Sequence, residues 1–279
     1  MHILIKHCTK KMICFPNAKI NIGLNIVSRR SDGYHNLETI FYPLQIKDAL
    51  EVIESSEMSF ETSGIEIPGH ANQNLCLKAY DLLRKDFDLP NIAIHLHKNI
   101  PIGAGLGGGS ANAAFFIKLI NDKFSLDLSL EKMQNYCRLL GADCAFFIEN
   151  KPLFAYDKGD VFKPVNLDLS PYYLALVMPP VHVSTADAYR GVVPKIPQQS
   201  LEELIKLPIQ NWQGKIVNDF EAHIFKAHPQ IRNVKASLID AGAVFSLMSG
   251  SGASVFGIFN AKPDLSLLQQ DGCLVFEDL

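Results

Sequence analysis

The sequence predicts an α+β protein built as two domains, and three observations carry that expectation. Strand-like alternation dominates the first third of the chain. Strands and helices mix in its second half. A length of 279 residues, 48% of them hydrophobic, is enough for two ordinary cores. A boundary is expected near residue 165, giving domains over 1–165 and 166–279. There a turn-rich, loosely polar stretch (151–170) gives way to the apolar run Tyr172–Met178.

Composition narrows the function classes. The net charge of −3 speaks against a nucleic-acid surface, which carries a basic excess. No apolar run reaches the length of a membrane span, so no membrane partner is expected. The six cysteines are scattered without a C-x-x-C pair, which suggests free thiols in a reducing compartment. With no signal peptide evident, the expected location is cytoplasmic. Residues 1–11 are basic and end before Met12. They read either as an extra edge strand or as a poorly ordered tail ahead of a natural start at Met12, and the second reading is taken.

Along the chain, Ile20, Ile22, Leu24 and Ile26 alternate as in a strand, which puts Lys19 and Asn21 together on the opposite face. By itself such a lysine reads as a solvated surface residue. Asp32-Gly33 signals a hairpin, with Tyr34 and His35 just beyond it. That pair is either the start of the next strand (37–42) or a stacking and hydrogen-bonding pair for a flat ligand such as a base. Strand-like pieces follow at 49–53 and 58–62, then a helix from about 75 to 84 capped by Asn74. The strand 92–98 carries His95 and His97 on one face. A metal site there would need a third ligand, which is not near in sequence, so no metal-ligating residue is assigned.

The central feature is Pro101-Ile102-Gly103-Ala104-Gly105-Leu106-Gly107-Gly108-Gly109-Ser110-Ala111. It delivers the chain from a strand into an Ala-rich helix, with Ser110 as the expected N-cap. Glycines let the backbone approach closely, and a helix start presents N–H groups and positive dipole, so the expected guest is an anion, most often a phosphate. A P-loop is excluded because no lysine follows the last glycine. A dinucleotide fold is excluded because helical periodicity (130–140), not a second strand with a terminal acid, follows.

Further on, Gly141 ends the 130–140 helix, and Asp143 stands in a small, apolar run. It is either a helix cap or a partly buried catalytic carboxylate. A capped helix is expected from about 183 to 189, a linker holding Trp212 at 198–215, and helices opening near Asn218 and Pro229. Strands at 244–248 and 255–259 flank Ser249-Gly250-Ser251-Gly252-Ala253-Ser254, which is either a hairpin turn or a small backbone cradle.

Three motifs stand in a fixed order: Pro16-Asn17-Ala18-Lys19-Ile20-Asn21, the 101–111 loop, and Met248-Ser249-Gly250-Ser251-Gly252-Ala253. Together they resemble the GHMP small-molecule kinases. The Asp32–His35 segment, the run 103–114 and Gly141-Ala142-Asp143 narrow the resemblance to the branch acting on a cytidine diphosphate-linked methylerythritol in the non-mevalonate isoprenoid pathway. The match covers about residues 13–260. It departs from the pattern by one extra residue after Pro16.

The resemblance implies a ribosomal S5 domain 2-like N-terminal domain, a ferredoxin-like C-terminal domain and a site in the cleft between them. ATP, with Mg²⁺, would lay its phosphates on Pro101–Ala111 and its base near Asn74 and Lys98. Asp143 would orient the acceptor's C2 hydroxyl and take its proton, and Lys19 would stabilise charge and keep Asp143 ionised. Tyr34 and His35 would hold the cytosine. Asn21 and Thr185, with Gly250, Ser251 and Gly252, would touch the rest of the substrate. The expected assembly is a monomer or weak homodimer. The competing readings are another GHMP kinase, of homoserine or mevalonate type, and a non-catalytic nucleotide-binding module.

Overall fold

The computed structural model describes residues 12–279, so the expectation for residues 1–11 lies outside the described residues. In chain order the elements are β1 (Met12–Cys14), β2 (Asn17–Arg29), β3 (His35–Lys47), β4 (Ala49–Glu54), β5 (Ser59–Gly64), α1 (Leu75–Asp86), β6 (Ile92–Lys98), α2 (Gly108–Phe124), α3 (Leu130–Leu140), α4 (Phe146–Glu149), β7 (Leu153–Tyr156), β8 (Val161–Pro164), β9 (Tyr173–Met178), α5 (Thr185–Arg190), α6 (Leu201–Leu204), α7 (Glu221–Ala227), α8 (Pro229–Asp240), β10 (Phe245–Met248), β11 (Val255–Phe259), α9 (Ser266–Gln270) and β12 (Leu274–Glu277). They form two compact units that interleave along the chain. One holds 47–100 and 108–148 with the described residues up to 16. The other holds 17–46, 101–107 and 149–279.

The first unit is a four-stranded sheet, order β1-β4-β6-β5, with α1, α2 and α3 packed together beside it. In β6, Ile92, Ile94 and Leu96 are buried while His95 and His97 face out, as the alternation predicts. Asn74 caps α1, its side chain accepting from the Cys76 N–H at 2.9 Å. α2 begins at Gly108, so Ser110 is not its N-cap but lies in the first turn. The left-handed Gly107 (φ 69°) ends the loop, and helical geometry starts one residue later. α3 ends at Gly141, and a 3-10 turn, Ala142–Ala145, carries Asp143.

The second unit has two sheets, β2-β3-β7-β8 and β10-β11-β9-β12. The latter has β9 and β11 at its centre, each bordered antiparallel by an outer strand, with helices crossing between β9 and β10 and between β11 and β12. That is the split βαββαβ arrangement of ferredoxin-like folds. Leu24 and Ile26 from β2 share one core with Val177, Ile231, Leu238, Val255 and Phe259. Hence β2 is buried on both faces over residues 17–26, and the solvated-lysine reading of Lys19 fails: it is 3% exposed.

Two further expectations are corrected. Residues 151–170 are more than loose polar sequence; the turn at Asp157–Asp160 stands, and β7 pairs with β3 and, around that turn, with β8. Residues 198–215 are not a plain linker. They hold α6, whose Leu201 and Leu204 are buried, and Trp212, 1% exposed. Trp212 donates its indole N–H to the Leu207 carbonyl at 2.8 Å and packs edge-on against Phe245 at 5.5 Å.

Candidate active site

In the second unit, three segments meet at Lys19 and Asn21. The Lys19 ammonium donates to Asn21 Oδ1 at 2.6 Å and to the Gly105 carbonyl at 3.0 Å, and sits 5.3 Å from the centre of the Phe41 ring. The Lys19 N–H donates to the Leu106 carbonyl at 2.9 Å, so β2 is stitched to the glycine loop by backbone and side chain alike. Asn21 is held from below, its amide donating to Thr39 Oγ1 at 2.9 Å, while Thr39 donates to the Gly23 carbonyl at 2.6 Å. A buried ammonium among fixed acceptors is a preorganised cation rather than a floating one.

The third segment is the hairpin connection between β10 and β11. Ser249 Oγ accepts from the Asn21 N–H at 3.2 Å and donates to the Gly105 carbonyl at 3.0 Å. Gly105 has φ 74°, and a Cβ there would lie 2.1 Å from the Ser249 carbonyl oxygen. A Cβ on Gly250 would come 3.1 Å from Asn21 Oδ1 and 3.2 Å from the Gly105 carbonyl oxygen. Only glycine permits both approaches. Asn218 donates to the Met248 and Gly250 carbonyls, each at 2.8 Å, and holds the loop from behind. Sequence reasoning gave Asn218 no more than a helix-opening role, and Ser249 none apart from its loop. Their only local signal was a small polar residue next to a helix start or a glycine.

The glycine loop reads as a backbone cradle. Gly103, Gly105 and Gly107 all have left-handed φ (68°, 74°, 69°) and lead directly into α2, a 17-residue helix. Alternating left-handed residues turn successive N–H groups toward one side, and a helix start adds positive dipole. A Cβ added at Gly109 would meet nothing within 4 Å, so the space above the helix start is open. These features fit a polyphosphate.

In the first unit, Asn74 lines a cavity of ≈390 Å³ with Phe60, Thr62, Ile67, Pro68 and Gln73. Lys98 does not face that cavity's lining. Its ammonium is buried against Asp48 and Asn112. Asp143 lies half-buried on its 3-10 turn, and the next residue, Cys144, shares a hydrogen bond with Ser110 of the loop. Burial pushes the Cys144 thiol up to about 12, against a smaller lowering by that bond, so it is no nucleophile at neutral pH.

The hairpin segment also has its own support. Arg30 pairs with Asp32 at 3.1 Å and with Asp157, and the Tyr34 N–H donates to Asp32 Oδ1 at 3.1 Å. Tyr34 is 61% exposed, and the His35 ring stacks on Tyr189 with centroids 5.0 Å apart and planes 25° from parallel. Burial, and secondarily Arg29, lowers the His35 pKa below its ordinary value, favouring the neutral imidazole. Tyr189 has no distinguishing local signal; only the fold brings it to His35. Thr185 is exposed as the first residue of α5. Among the described residues no group of three or more His, Cys, Asp or Glu could hold a metal ion, and no helix is long and apolar enough to cross a membrane.

Residues 74–151 match the model of the GHMP kinases N-terminal domain, and residues 193–273 that of the GHMP kinases C-terminal domain. A curated protein of Bacteroides fragilis, named 4-diphosphocytidyl-2-C-methyl-D-erythritol kinase, is 50% identical over 270 residues, covering 95% of this chain and 98% of its own. A protein of the same name from Porphyromonas gingivalis is 44% identical over 272 residues, covering 96% and 99%. A crystal structure of a 4-(cytidine 5'-diphospho)-2C-methyl-D-erythritol kinase superposes with a TM-score of 0.79 at 29% identity, covering 95% and 98%. The mevalonate kinase of Methanococcus jannaschii, at 13% identity and TM-score 0.69, shares the fold.

Proposed function

The chain belongs to the GHMP kinases, and we propose that it transfers the γ-phosphoryl group of ATP to the C2 hydroxyl of 4-diphosphocytidyl-2-C-methyl-D-erythritol, in the non-mevalonate isoprenoid pathway of the cytoplasm. The observation that carries this reading is the 50% identity, over 95% of the chain, to a curated kinase of that name. The division along the chain near residue 165 is retained in the proposal, since the two family models match on either side of it. The enzyme is proposed to act as a monomer or weak homodimer, with no nucleic-acid or membrane partner.

The mechanism follows from the chemistry of phosphoryl transfer, in which positioning and charge stabilisation do most of the catalysis. The N–H groups of the 101–111 loop and the start of α2 hold the ATP phosphates, and Asn74 lies toward the base. Asp143 orients the acceptor hydroxyl and takes its proton. Lys19, locked between Asn21 Oδ1 and the Gly105 carbonyl, supplies fixed positive charge to the reacting oxygens. Asn21 and Thr185, with the 250–252 backbone, hold the acceptor's polar groups. The cytosine lies against Tyr34 and His35, the His35 ring being braced by Tyr189. Mg²⁺, bound with the nucleotide, would neutralise charge on its phosphates.

Measurement of ADP release tests the reading. With the cytidyl substrate the protein turns over, and homoserine or mevalonate gives no comparable rate, because a base-binding pair is of no use to a small aliphatic alcohol. Asp143→Ala loses on the order of 10²- to 10⁴-fold in kcat, as removal of a positioned base does, and Lys19→Ala loses a comparable amount. An Asp143→Ala variant as fast as the wild type would sink the mechanism.

A further inference from the structure

We propose that Asp48 is a positioning residue for nucleotide binding: through Lys98 and Asn112 it pins both ends of the glycine loop. The proposal rests on the kinase reading above. Asp48, 1% exposed, stands between β3 and β4. Its Oδ1 accepts from the N–H groups of Asn99 at 2.8 Å and Ile100 at 2.9 Å, the last two residues before the loop. Its Oδ2 accepts from Asn112 Nδ2 at 2.7 Å and from the Lys98 ammonium. Lys98 also donates to Asn112 Oδ1 at 3.1 Å. One carboxylate therefore ties down the chain where it enters the loop (98–100) and the helix where it leaves (112).

The chemistry explains why these residue types are used. The N–H groups of Asn99 and Ile100 lie outside any strand ladder and need a buried acceptor. A carboxylate serves both, but a buried carboxylate needs a counter-charge, which Lys98 provides. The two charges cancel, so the cluster contributes geometry and little field. Lys98 also lies under the helix start: a Cβ on Gly108 would come 3.2 Å from its Nζ. This replaces the role that the family resemblance suggests for Lys98. A 4%-exposed ammonium spent on Asp48 and Asn112 acts on the nucleotide through the loop, not by touching it.

Four proteins test this: wild type, Asp48→Asn, Lys98→Met and the double variant. Kinetics against ATP and the cytidyl acceptor are measured on each, with ADP binding by calorimetry and thermal unfolding. Asp48→Asn leaves an unpaired ammonium and Lys98→Met an unpaired carboxylate. Each raises KM for ATP roughly tenfold or more through loop displacement, while KM for the acceptor stays within about twofold. In the double variant the new amide keeps its oxygen on Asn99 and Ile100, and its NH2 donates to Asn112 Oδ1 once the Asn112 amide, released by Lys98, turns over, with no charge buried. KM for ATP then returns to within about threefold of wild type. A double variant as impaired as Lys98→Met would mean that Lys98 touches the nucleotide, and overturns the proposal. So do single variants that melt lower yet keep the wild-type KM for ATP, or that bind ADP normally. A wild type that binds ADP but phosphorylates no acceptor would instead count against the kinase reading, and is distinguishable on that ground.

Discussion

At the scale of single residues, the glycines of the loop separate structural from functional need. Gly105 is required by the protein itself, since its left-handed φ and the Ser249 carbonyl 2.1 Å from any Cβ exclude a side chain. Gly109 is different. It lies in the first turn of α2 at an ordinary helical φ, and nothing in the chain opposes a methyl group there. Gly109→Ala should therefore leave folding intact or raise stability by about 0.5–1 kcal/mol, as alanine does in a helix. The same change should raise KM for ATP several-fold if a phosphate occupies that space. Thermal unfolding and ATP kinetics on one preparation would check both, and an unchanged KM would remove the phosphates from the helix start. Lys19 teaches a related lesson. Its strand position was legible, but a lysine in an alternating strand is usually solvated. Only the core packed on both faces of β2 makes it a buried cation.

At the scale of elements, patterns long enough to show a period were readable, and short ones were not. β6, α1, α3 and α8 carry several turns or alternations, α1 and α3 with side-chain caps, and they lie where the pattern put them. β7 and β8 are four residues each around a polar turn, too short to show a period. They are strands because β3 offers β7 an edge to pair with. The segment around Trp212 is polar and irregular, yet it closes the core over Phe245. Trp212→Ala should cost roughly 3–5 kcal/mol, read as a lower urea midpoint. A midpoint within error of wild type would show that this segment is as loose as its composition suggested.

At the scale of the whole molecule, Asn74, proposed to meet the ATP base, and Tyr34 and His35, proposed to meet the cytosine, belong to different compact units. Their effects should separate. Asn74→Asp keeps the acceptor that caps α1 and loses the amide donor. It should raise KM for ATP and leave the acceptor's KM nearly unchanged; His35→Ala should do the reverse. The His35 effect carries a pH signature. Its pKa is lowered in the folded protein, so the folded ring stays neutral below the ordinary value of about 6.5. Stability declines as pH falls from that value toward the lowered one, and the proposed cytosine contact weakens only as pH falls through the lowered one. KM for the acceptor should rise with acidification in the wild type and stay flat in His35→Ala; a parallel rise in both would clear His35 of the role.

From the order of residues alone came the fold class, the glycine loop leading into a helix start, the hairpin before Tyr34, and the kinase resemblance. All of these depend on local chemistry: glycine's freedom at positive φ, capping side chains, and alternation over a single strand. The tertiary structure alone decided what each polar residue faces. It turned Lys19 inward onto the Gly105 carbonyl, stacked Tyr189 on His35, and set the hairpin loop of Ser249 and Gly250 against Gly105. It also paired Lys98 with Asp48. The buried charges of Lys19 and Lys98 are fixed by partners as far as 86 and 50 residues away, and no local pattern carries that information.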